Sequence, residues 1–364
     1  MMNETRIALR PEFFVEKERI LVEHGELSAS LFRYDSGVEA IRMKNSRGEI
    51  LALPFQGQQI WDARFDGKIL TMRTKFDEPL RTTDYLRNYG AFLLHCGVTA
   101  MGNPGVEDTH PLHGELPNAP YTDAFLAVGE DAIGPYMAIS GRYRHAVAFG
   151  CDYVARPRVT VRAGQAVLSI VMEVENLAKT AMELMYLAHV NFRPVDGGRL
   201  LYSAPCDPQT VRVRTSVPSS LHPPVGYVEF LNELSRDPSK HEVFVPGLQF
   251  DPEVAMVLSC KSDETGWARS MMLHPDGCAS YIGHRTDTLD HAIRWISRTP
   301  DQDCLGLLLP ATAEPDGYHA EKAKGNLKCL AAGQTMRFEL EAGLLESEKV
   351  EGMRAKIAGI LSPG

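Results

Sequence analysis

Hydrophobic and polar residues alternate along much of the chain, which is the pattern of a β-strand with one buried and one solvated face. The clearest case is QAVLSIVMEVEN, in which Leu168, Ile170, Met172 and Val174 share one face and polar residues occupy most of the positions between them. The segment RVTVR precedes it across the short connection AGQ. The two segments therefore predict a β-hairpin.

Short runs of the same kind recur along the chain, separated by Gly, Pro, Asn and Asp. They include EAIRM and EILALP around the turn KNSRG, and then VAMVLSC, CLGLLLP and MRFELEA. Helical periodicity is scarce: one helix is predicted near YVEFLNELS and a C-terminal helix over residues 347–361. This pattern favours an all-β fold, a large and mainly antiparallel sandwich with few short helices, over a wound α/β sheet. Because no change in composition divides the chain, residues 1–364 are predicted to form a single domain.

Composition and charge narrow the classes of function. The chain has 364 residues, 44% of them hydrophobic and 23% charged, which is enough for a sizeable core. Its formal net charge of -9 supplies no basic stripe, so no nucleic-acid partner is expected. The start, MMNETRIALRPEFF, lacks the apolar segment of a signal peptide, and no run approaches the roughly 20 apolar residues of a membrane span. We therefore expect a cytoplasmic protein without a membrane partner.

Motifs for several kinds of chemistry are missing from the sequence. The seven cysteines are scattered and form no CxxC pair, which favours reduced thiols over a metal or redox centre. No GxGxxG follows a predicted strand and no GxxxxGK[ST] occurs, so nucleotide chemistry has no support. No GxSxG element marks a nucleophile. The sequence therefore predicts neither a cofactor nor a metal.

Polar residues in otherwise apolar strand contexts are the candidates for a site. They are His95, Asn103, His113, Glu115, His189 and Asn191. His189 and Asn191 are two positions apart in ELMYLAHVNFRP, so they share one face of a strand. A single histidine of this kind is most often a buried residue with a satisfied hydrogen bond. Histidines on separate segments, each near an amide or a carboxylate, favour a convergent polar site.

The order of three segments resembles a known superfamily. PLHGELPNAPY, then YLAHVNF, then CLGLLLPATAEPDGY is similar to the aldose 1-epimerase (galactose mutarotase) superfamily, in particular its aldose-epimerase-like, DUF4432-type branch. The resemblance covers roughly residues 20–345. It implies a large galactose mutarotase-like β-sandwich in which an HG element, a mid-chain His with a nearby Asn and a late acidic strand end meet in one cleft. It also implies a small-molecule sugar or sugar derivative as the binding partner.

The resemblance implies acid/base interconversion of sugar anomers. Opening a cyclic hemiacetal requires removal of the anomeric hydroxyl proton and protonation of the ring oxygen, and each step is worth about 10²–10⁴-fold. On this basis His189 is the general acid and His113 donates to the ring oxygen or to an adjacent hydroxyl. The superfamily carries its base as a Glu ahead of Thr on the late strand, as in LETQ, whereas this chain reads LLPATAEPDGY. Glu314 is therefore the first choice for the base, with Glu321 and Glu115 behind it.

Further residues could complete the sugar site. Trp61 could pack on a sugar face and Arg73 could bind sugar oxygens. His95, Asn103, Glu115, Asn191 and Glu321 are the other predicted binding residues. Trp61 could equally belong to the core, and Arg73 could pair with Asp77.

Two alternatives from other classes stay open. The first is a metal-dependent sugar isomerase or epimerase with ligands from His95, His110, His113, Glu115 and His189. The second is a noncatalytic carbohydrate-binding module that keeps the fold without the base. Exposed edge strands of a sandwich could also pair two copies into a homo-oligomer. The sequence does not identify the sugar.

Overall fold

The computed structural model describes residues 3–217 and 223–362. Its three α-helices are α1 (Tyr227–Arg236), α2 (Tyr318–Lys324) and α3 (Ser347–Leu361). Three short 3₁₀ turns lie at Pro11–Phe13, Leu86–Asn88 and Pro238–His241. The strands are β1 (Asn3–Leu9), β2 (Arg19–His24), β3 (Leu27–Arg33), β4 (Glu39–Asn45), β5 (Gly48–Ala52), β6 (Ile60–Phe65), β7 (Lys68–Ile69), β8 (Leu93–Val98), β9 (Asp123–Asp131), β10 (Gly134–Ala146), β11 (Asp152–Arg162), β12 (Val167–Asn176), β13 (Met182–Val190), β14 (Arg199–Tyr202), β15 (Val211–Val213), β16 (Phe250–Leu258), β17 (Trp267–Leu273), β18 (Ala279–Arg285), β19 (His291–Arg298), β20 (Asp303–Ala311), β21 (Lys328–Leu330) and β22 (Thr335–Leu345).

These strands form two antiparallel sheets. The nine-stranded sheet has the order β1-β9-β10-β11-β12-β22-β18-β17-β14. The thirteen-stranded sheet has the order β15-β16-β19-β20-β13-β8-β6-β5-β4-β3-β2, with β21 paired to β13 and β7 paired to β6. The predicted fold class, a mainly antiparallel β-sandwich with few helices, is confirmed.

Strand pairing follows the alternation seen in the sequence. The hairpin predicted around AGQ is β11–β12, in which Val159 lies opposite Ile170. The turn KNSRG joins β4 to β5, where Asn45 lies opposite Gly48. In both hairpins the apolar positions face the neighbouring sheet, because a period of two keeps one face of each strand buried.

The main hydrophobic core lies between the two sheets and takes residues from both. A second apolar cluster covers the opposite, outer face of the thirteen-stranded sheet. Strand β13 contributes to both: Tyr186 and Ala188 join the main core, whereas Met185 and Leu187 join the outer cluster. His189 therefore follows Leu187 on the outer face.

The C-terminal helix α3 packs on the nine-stranded sheet. Val350 and Ile357 are its buried residues and contact an apolar group that includes Met271 and Tyr281. None of the helices among residues 3–217 and 223–362 has the length and apolar character that crossing a membrane requires.

Candidate functional site

A cavity of about 210 Å³ opens on the outer face of the thirteen-stranded sheet. This volume is below the roughly 300–1,000 Å³ of pockets for drug-sized ligands, which suits a smaller ligand. Strands β13, β16, β19 and β20 provide its floor, and the segments around residues 85–89 and 103–113 provide its walls. The lining residues are Tyr85, Leu86, Tyr89, Asn103, Leu112, His113, Leu187, His189, Arg214, Glu253, Ala255, Ile293, Trp295, Leu309 and Pro315.

His189 is held in one orientation and one tautomer by Asn191. The two residues lie on and just after β13, and Nδ1 of His189 is 2.7 Å from Oδ1 of Asn191. The amide orientation of Asn191 is fixed because its Nδ2 donates to the carbonyl of Ala91 at 2.9 Å, while Tyr89 donates its hydroxyl proton to Oδ1 at 3.2 Å. Since Oδ1 is an acceptor, Nδ1 of neutral His189 carries the proton. Nε2 is left with a lone pair for a ligand.

Burial keeps His189 uncharged. The side chain is 4% exposed, and this desolvation lowers its pKa to about 4, although the bond to Asn191 acts in the opposite direction. Near pH 7 the ring therefore accepts a proton at Nε2 and has none to donate there. The sequence analysis assigned His189 the role of general acid, and in this protonation state Nε2 can act in that role only after it has taken up a proton.

His113 reaches the cavity from an unusual backbone conformation. Its φ is +61° and that of Gly114 is +79°, both in the left-handed region that favours glycine. A Cβ on Gly114 would lie 2.7 Å from the carbonyl oxygen of Gly97 and closer still to that of Ala100. The glycine of the HG element is therefore required by close backbone packing, and that packing fixes where His113 projects.

The two cavity histidines lie side by side with aromatic neighbours. The ring centroids of His113 and His189 are 5.5 Å apart, and Tyr85 is 4.9 Å from His113. Burial and the nearby His189 hold the pKa of His113 well below its usual range. Nδ1 of His113 and the hydroxyl of Tyr85 are buried and have no hydrogen-bond partner among the described residues. Buried polar atoms normally have partners, so these two atoms are unusual in being left unpaired.

The opposite wall contains three polar residues that the sequence analysis did not name. Nε1 of Trp295 donates to Oε2 of Glu253 at 2.7 Å, and Arg214 forms an ion pair with Oε1 of the same carboxylate. The ring centroids of Trp295 and His189 are 5.6 Å apart, so the indole lies between the carboxylate of Glu253 and the imidazole of His189. No motif marks these residues, because they come from β16, β19 and the end of β15, which are adjacent only in the sheet.

The predicted base Glu314 lies outside the cavity. Its carboxylate bonds Arg212 and Lys324; burial alone would raise its pKa, but these partners lower it below the usual range. Glu321 is fully buried, accepts the N–H of Glu314 at 2.9 Å and also bonds Lys324. The next residue, Pro315, lines the cavity, so the chain passes the rim of the cavity at this point. The carboxylates of Glu314 and Glu321 nevertheless face Lys324.

His95 and Glu115 also serve the scaffold. His95 is fully buried on the core side of β8, and its Nδ1 is 2.7 Å from the hydroxyl of Tyr186. Oε1 of Glu115 accepts the backbone N–H groups of Val98 and Thr99 at 2.9 and 3.0 Å. Glu115 therefore anchors the loop that carries His113. Neither residue lines the cavity.

The remaining predicted binding residues divide between two places. Asn103 lines the cavity, and Asn191 supports it from behind His189. Trp61 and Arg73 line a different depression on the same sheet. The guanidinium of Arg73 donates to the carbonyl of Pro300 at 2.7 Å. Trp61 and Arg73 thus lie together but apart from the histidines.

The donor set proposed for a metal-dependent isomerase does not converge. Within the described part of the chain, two groups of three or more His, Cys, Asp or Glu side chains lie close enough to share an ion. Neither group contains His95, His110, His113, Glu115 or His189. The histidine cavity therefore lacks the ligand geometry that this alternative requires.

Comparison with known proteins gives the fold a name. Residues 35–202 match the model of DUF4432, a domain of unknown function. A search of curated proteins by sequence found no match. Among solved structures, a protein described as a candidate aldose 1-epimerase from Klebsiella pneumoniae superposes with a TM-score of 0.81 at 16% identity, covering 99% of this chain and 96% of that chain. A galactose mutarotase-like protein from Clostridium acetobutylicum has a TM-score of 0.60 at 13% identity, covering 88% and 99%.

A second candidate aldose 1-epimerase, from Escherichia coli K12, has a TM-score of 0.52 at 14% identity and covers 90% of this chain and 99% of that chain. At identities this low, the structural matches establish the fold alone. The activity depends on the residues of the site. The resemblance predicted from the sequence is confirmed at that level: residues 35–202 match the DUF4432 model, and the chain has the galactose mutarotase-like β-sandwich fold.

Proposed function

We propose that the cavity binds a monosaccharide and that the protein interconverts its anomers. The observation that carries the proposal is His189, a buried neutral imidazole with Nδ1 bonded to Asn191 and Nε2 free beside a second histidine. The shared fold with candidate aldose 1-epimerases agrees with this activity. Aromatic side chains in the lining suit the apolar faces of a sugar ring.

A single imidazole can carry out both proton transfers of the reaction. Nε2 of His189 accepts the proton of the anomeric hydroxyl as the bond between C1 and the ring oxygen breaks. The electron pair of that bond goes to the ring oxygen, and the imidazolium then returns the proton to it. Rotation about the C1–C2 bond followed by the reverse steps gives the other anomer. General acid/base assistance of this kind is worth about 10²–10⁴-fold.

The other polar groups have distinct roles. The N–H of neutral His113 and the hydroxyl of Tyr85 can donate to the ring oxygen while negative charge develops there. On the opposite wall, Arg214 donates to sugar hydroxyls and Glu253 accepts from them.

One-dimensional NMR saturation exchange between the anomers of a panel of free aldoses and ketoses tests the proposal. We expect exchange faster than in buffer for at least one sugar, unchanged by a chelator, and a loss of about 10²–10⁴-fold in His189→Gln. His319→Gln is the matched control, because this half-exposed histidine does not line the cavity.

The outcomes separate the alternatives. A folded His189→Gln variant with full activity would refute the proposal, as would exchange or a new sugar that the chelator abolishes, which favours a metal isomerase. Sugar binding without accelerated exchange in any member of the panel would favour a noncatalytic carbohydrate-binding module.

A further inference from the structure

A second group of chemically reactive side chains lies at the hairpin between β17 and β18, whose turn reads HPDGC. The backbone N–H of His274 donates to the carbonyl of Cys278 at 2.9 Å, and Gly277 adopts a φ of +90° to complete the turn. The turn brings an imidazole nitrogen, a carboxylate oxygen and a thiol sulfur within 4.8 Å of one another, from His274, Asp276 and Cys278. None of these residues lines the histidine cavity.

We infer that this turn is a binding site for a zinc-class divalent cation, with Nδ1 of His274, a carboxylate oxygen of Asp276 and Sγ of Cys278 as ligands. Nitrogen, oxygen and sulfur donors together select zinc and similar borderline-soft ions over Mg²⁺ and Ca²⁺, which prefer oxygen alone. Three protein ligands leave one position of a tetrahedral ion for water or another small ligand.

The donor atoms already have close to the required spacing. Sγ of Cys278 lies 3.1 Å from Nδ1 of His274 and 3.0 Å from Oδ1 of Asp276. Ligand bonds of about 2.0–2.3 Å to a tetrahedral zinc ion place ligand atoms about 3.3–3.7 Å apart. Side-chain rotations that open the group by a few tenths of an ångström therefore suffice.

His274 has the outer support that metal-binding histidines usually have. It is 5% exposed, and its Nε2 is 3.0 Å from Oγ and 3.3 Å from the backbone nitrogen of Ser280. The backbone N–H of Ser280 donates to Nε2, so the proton of the neutral ring lies on Nδ1 and faces the sulfur. Cation binding at Nδ1 therefore requires this proton to move to Nε2, from which it can be donated to Oγ of Ser280. A bond of this kind to the other ring nitrogen fixes the orientation of a ligand histidine.

Lys68 competes with a cation for this site, and its effect is small. Its ammonium pairs with Asp276, but the two side chains are 33% and 54% exposed. Exposed ion pairs are worth at most about 1 kcal/mol, which corresponds to about fivefold in affinity. The long lysine side chain can move into solvent when an ion binds. Lys68→Met should therefore tighten cation binding by up to about fivefold.

Binding must release one proton. A cation binds the thiolate form of a cysteine and the uncharged form of a histidine. The ion therefore displaces the thiol proton and none from the imidazole. The positive groups facing the site are Lys68 and Arg193, which line the adjacent depression. Apparent affinity should therefore rise with pH as long as the thiol of the free chain is protonated.

Titration of the full chain with Co²⁺ tests this inference independently of the proposed function. We expect a thiolate-to-cobalt charge-transfer absorption that saturates at one Co²⁺ per chain and disappears when Zn²⁺ is added. Cys278→Ser should abolish the band, and Cys329→Ser, at an exposed cysteine, is the matched control that should retain it.

Asp276→Asn provides a second test because this exposed side chain can be changed without disturbing the core. It should weaken Co²⁺ binding while the protein stays folded. The absence of a band in the wild-type chain would overturn the inference. A band of wild-type intensity in Cys278→Ser, or unchanged affinity in Asp276→Asn, would overturn it as well.

Discussion

Replacing Gly114 by alanine should disturb both stability and activity, because the fold leaves no room for a side chain there. The position has a φ of +79°, and an added Cβ would meet the carbonyl oxygens of Ala100 and Gly97. Both obstacles are main-chain atoms that cannot rotate away. The conformational cost and the steric cost therefore add at this position.

The two costs can be separated with a matched glycine. Gly325, which ends α2, has a φ of +77° and nothing within 4 Å of an added Cβ. Gly325→Ala should therefore show the left-handed cost alone, about 1–2 kcal/mol. At about 2.1 cal/mol/K per residue of unfolding entropy, this lowers the melting temperature of a 364-residue chain by about 1.3–2.6 °C. Gly114→Ala should cost clearly more.

The steric cost also moves a proposed catalytic group. Relief of the overlap requires a shift on the order of 0.5–1 Å in the segment that carries His113, and a displacement of 1 Å can cost about 10²-fold in rate. Urea unfolding and anomer exchange should both be measured for the two variants. Gly325→Ala should keep full exchange activity. If Gly114→Ala were as stable and as active as Gly325→Ala, the argument that packing positions His113 through this glycine would be wrong.

Three further changes test other parts of the structure. Arg214→Met should raise KM by about 10- to 150-fold with little change in kcat, because it removes a charged hydrogen-bond donor worth about 1.5–3 kcal/mol from the sugar-binding wall; steady-state exchange kinetics check this. Glu314→Gln should leave exchange activity unchanged in the same assay, since its carboxylate bonds Arg212 and Lys324 outside the cavity; a large loss would restore it as the base. Burial lowers the pKa of His95 to about 3, so the unfolded chain binds a proton below about pH 6.5 that the folded chain refuses, and stability falls as pH falls from 6.5 towards 3 by up to about 1.4 kcal/mol per pH unit. Urea unfolding of the wild-type chain and of His95→Phe between pH 7.5 and pH 5 measures this dependence. His95→Phe should take up one proton fewer on unfolding, and an unchanged pH dependence would contradict the low pKa of His95.

The period of two in the sequence predicted local structure well. It identified the hairpin in which Val159 lies opposite Ile170, and it placed His189 and Asn191 on one face of a strand. These predictions hold because a strand with a buried face fixes the direction of every second side chain. The same rule cannot say which strands are neighbours across a sheet.

The cavity residues that the sequence analysis missed show the consequence of not knowing which strands are neighbours. Arg214, Glu253 and Trp295 meet because β15, β16 and β19 are adjacent in the sheet, although long stretches of chain separate them. Conversely, His95 and Glu115 have the residue types of a site but are bonded to the scaffold. A residue type reveals the chemistry that is available, whereas its hydrogen-bond partners decide whether that chemistry is free to act.

The position of the acidic residue in the cavity bears on which side chain transfers the proton and which side chains hold the sugar hydroxyl groups. The resemblance implies a glutamate on the late strand, where β20 instead contributes Leu309 to the cavity. Glu253 arises two strands away in the sheet order β16-β19-β20, and both of its oxygens already accept hydrogen bonds, from Arg214 and Trp295. A carboxylate engaged in this way is suited to hold hydroxyl groups in place. Nε2 of His189 is free and uncharged, so the proposed mechanism assigns proton transfer to the imidazole. Under this division, loss of the glutamate from the late strand does not remove the base.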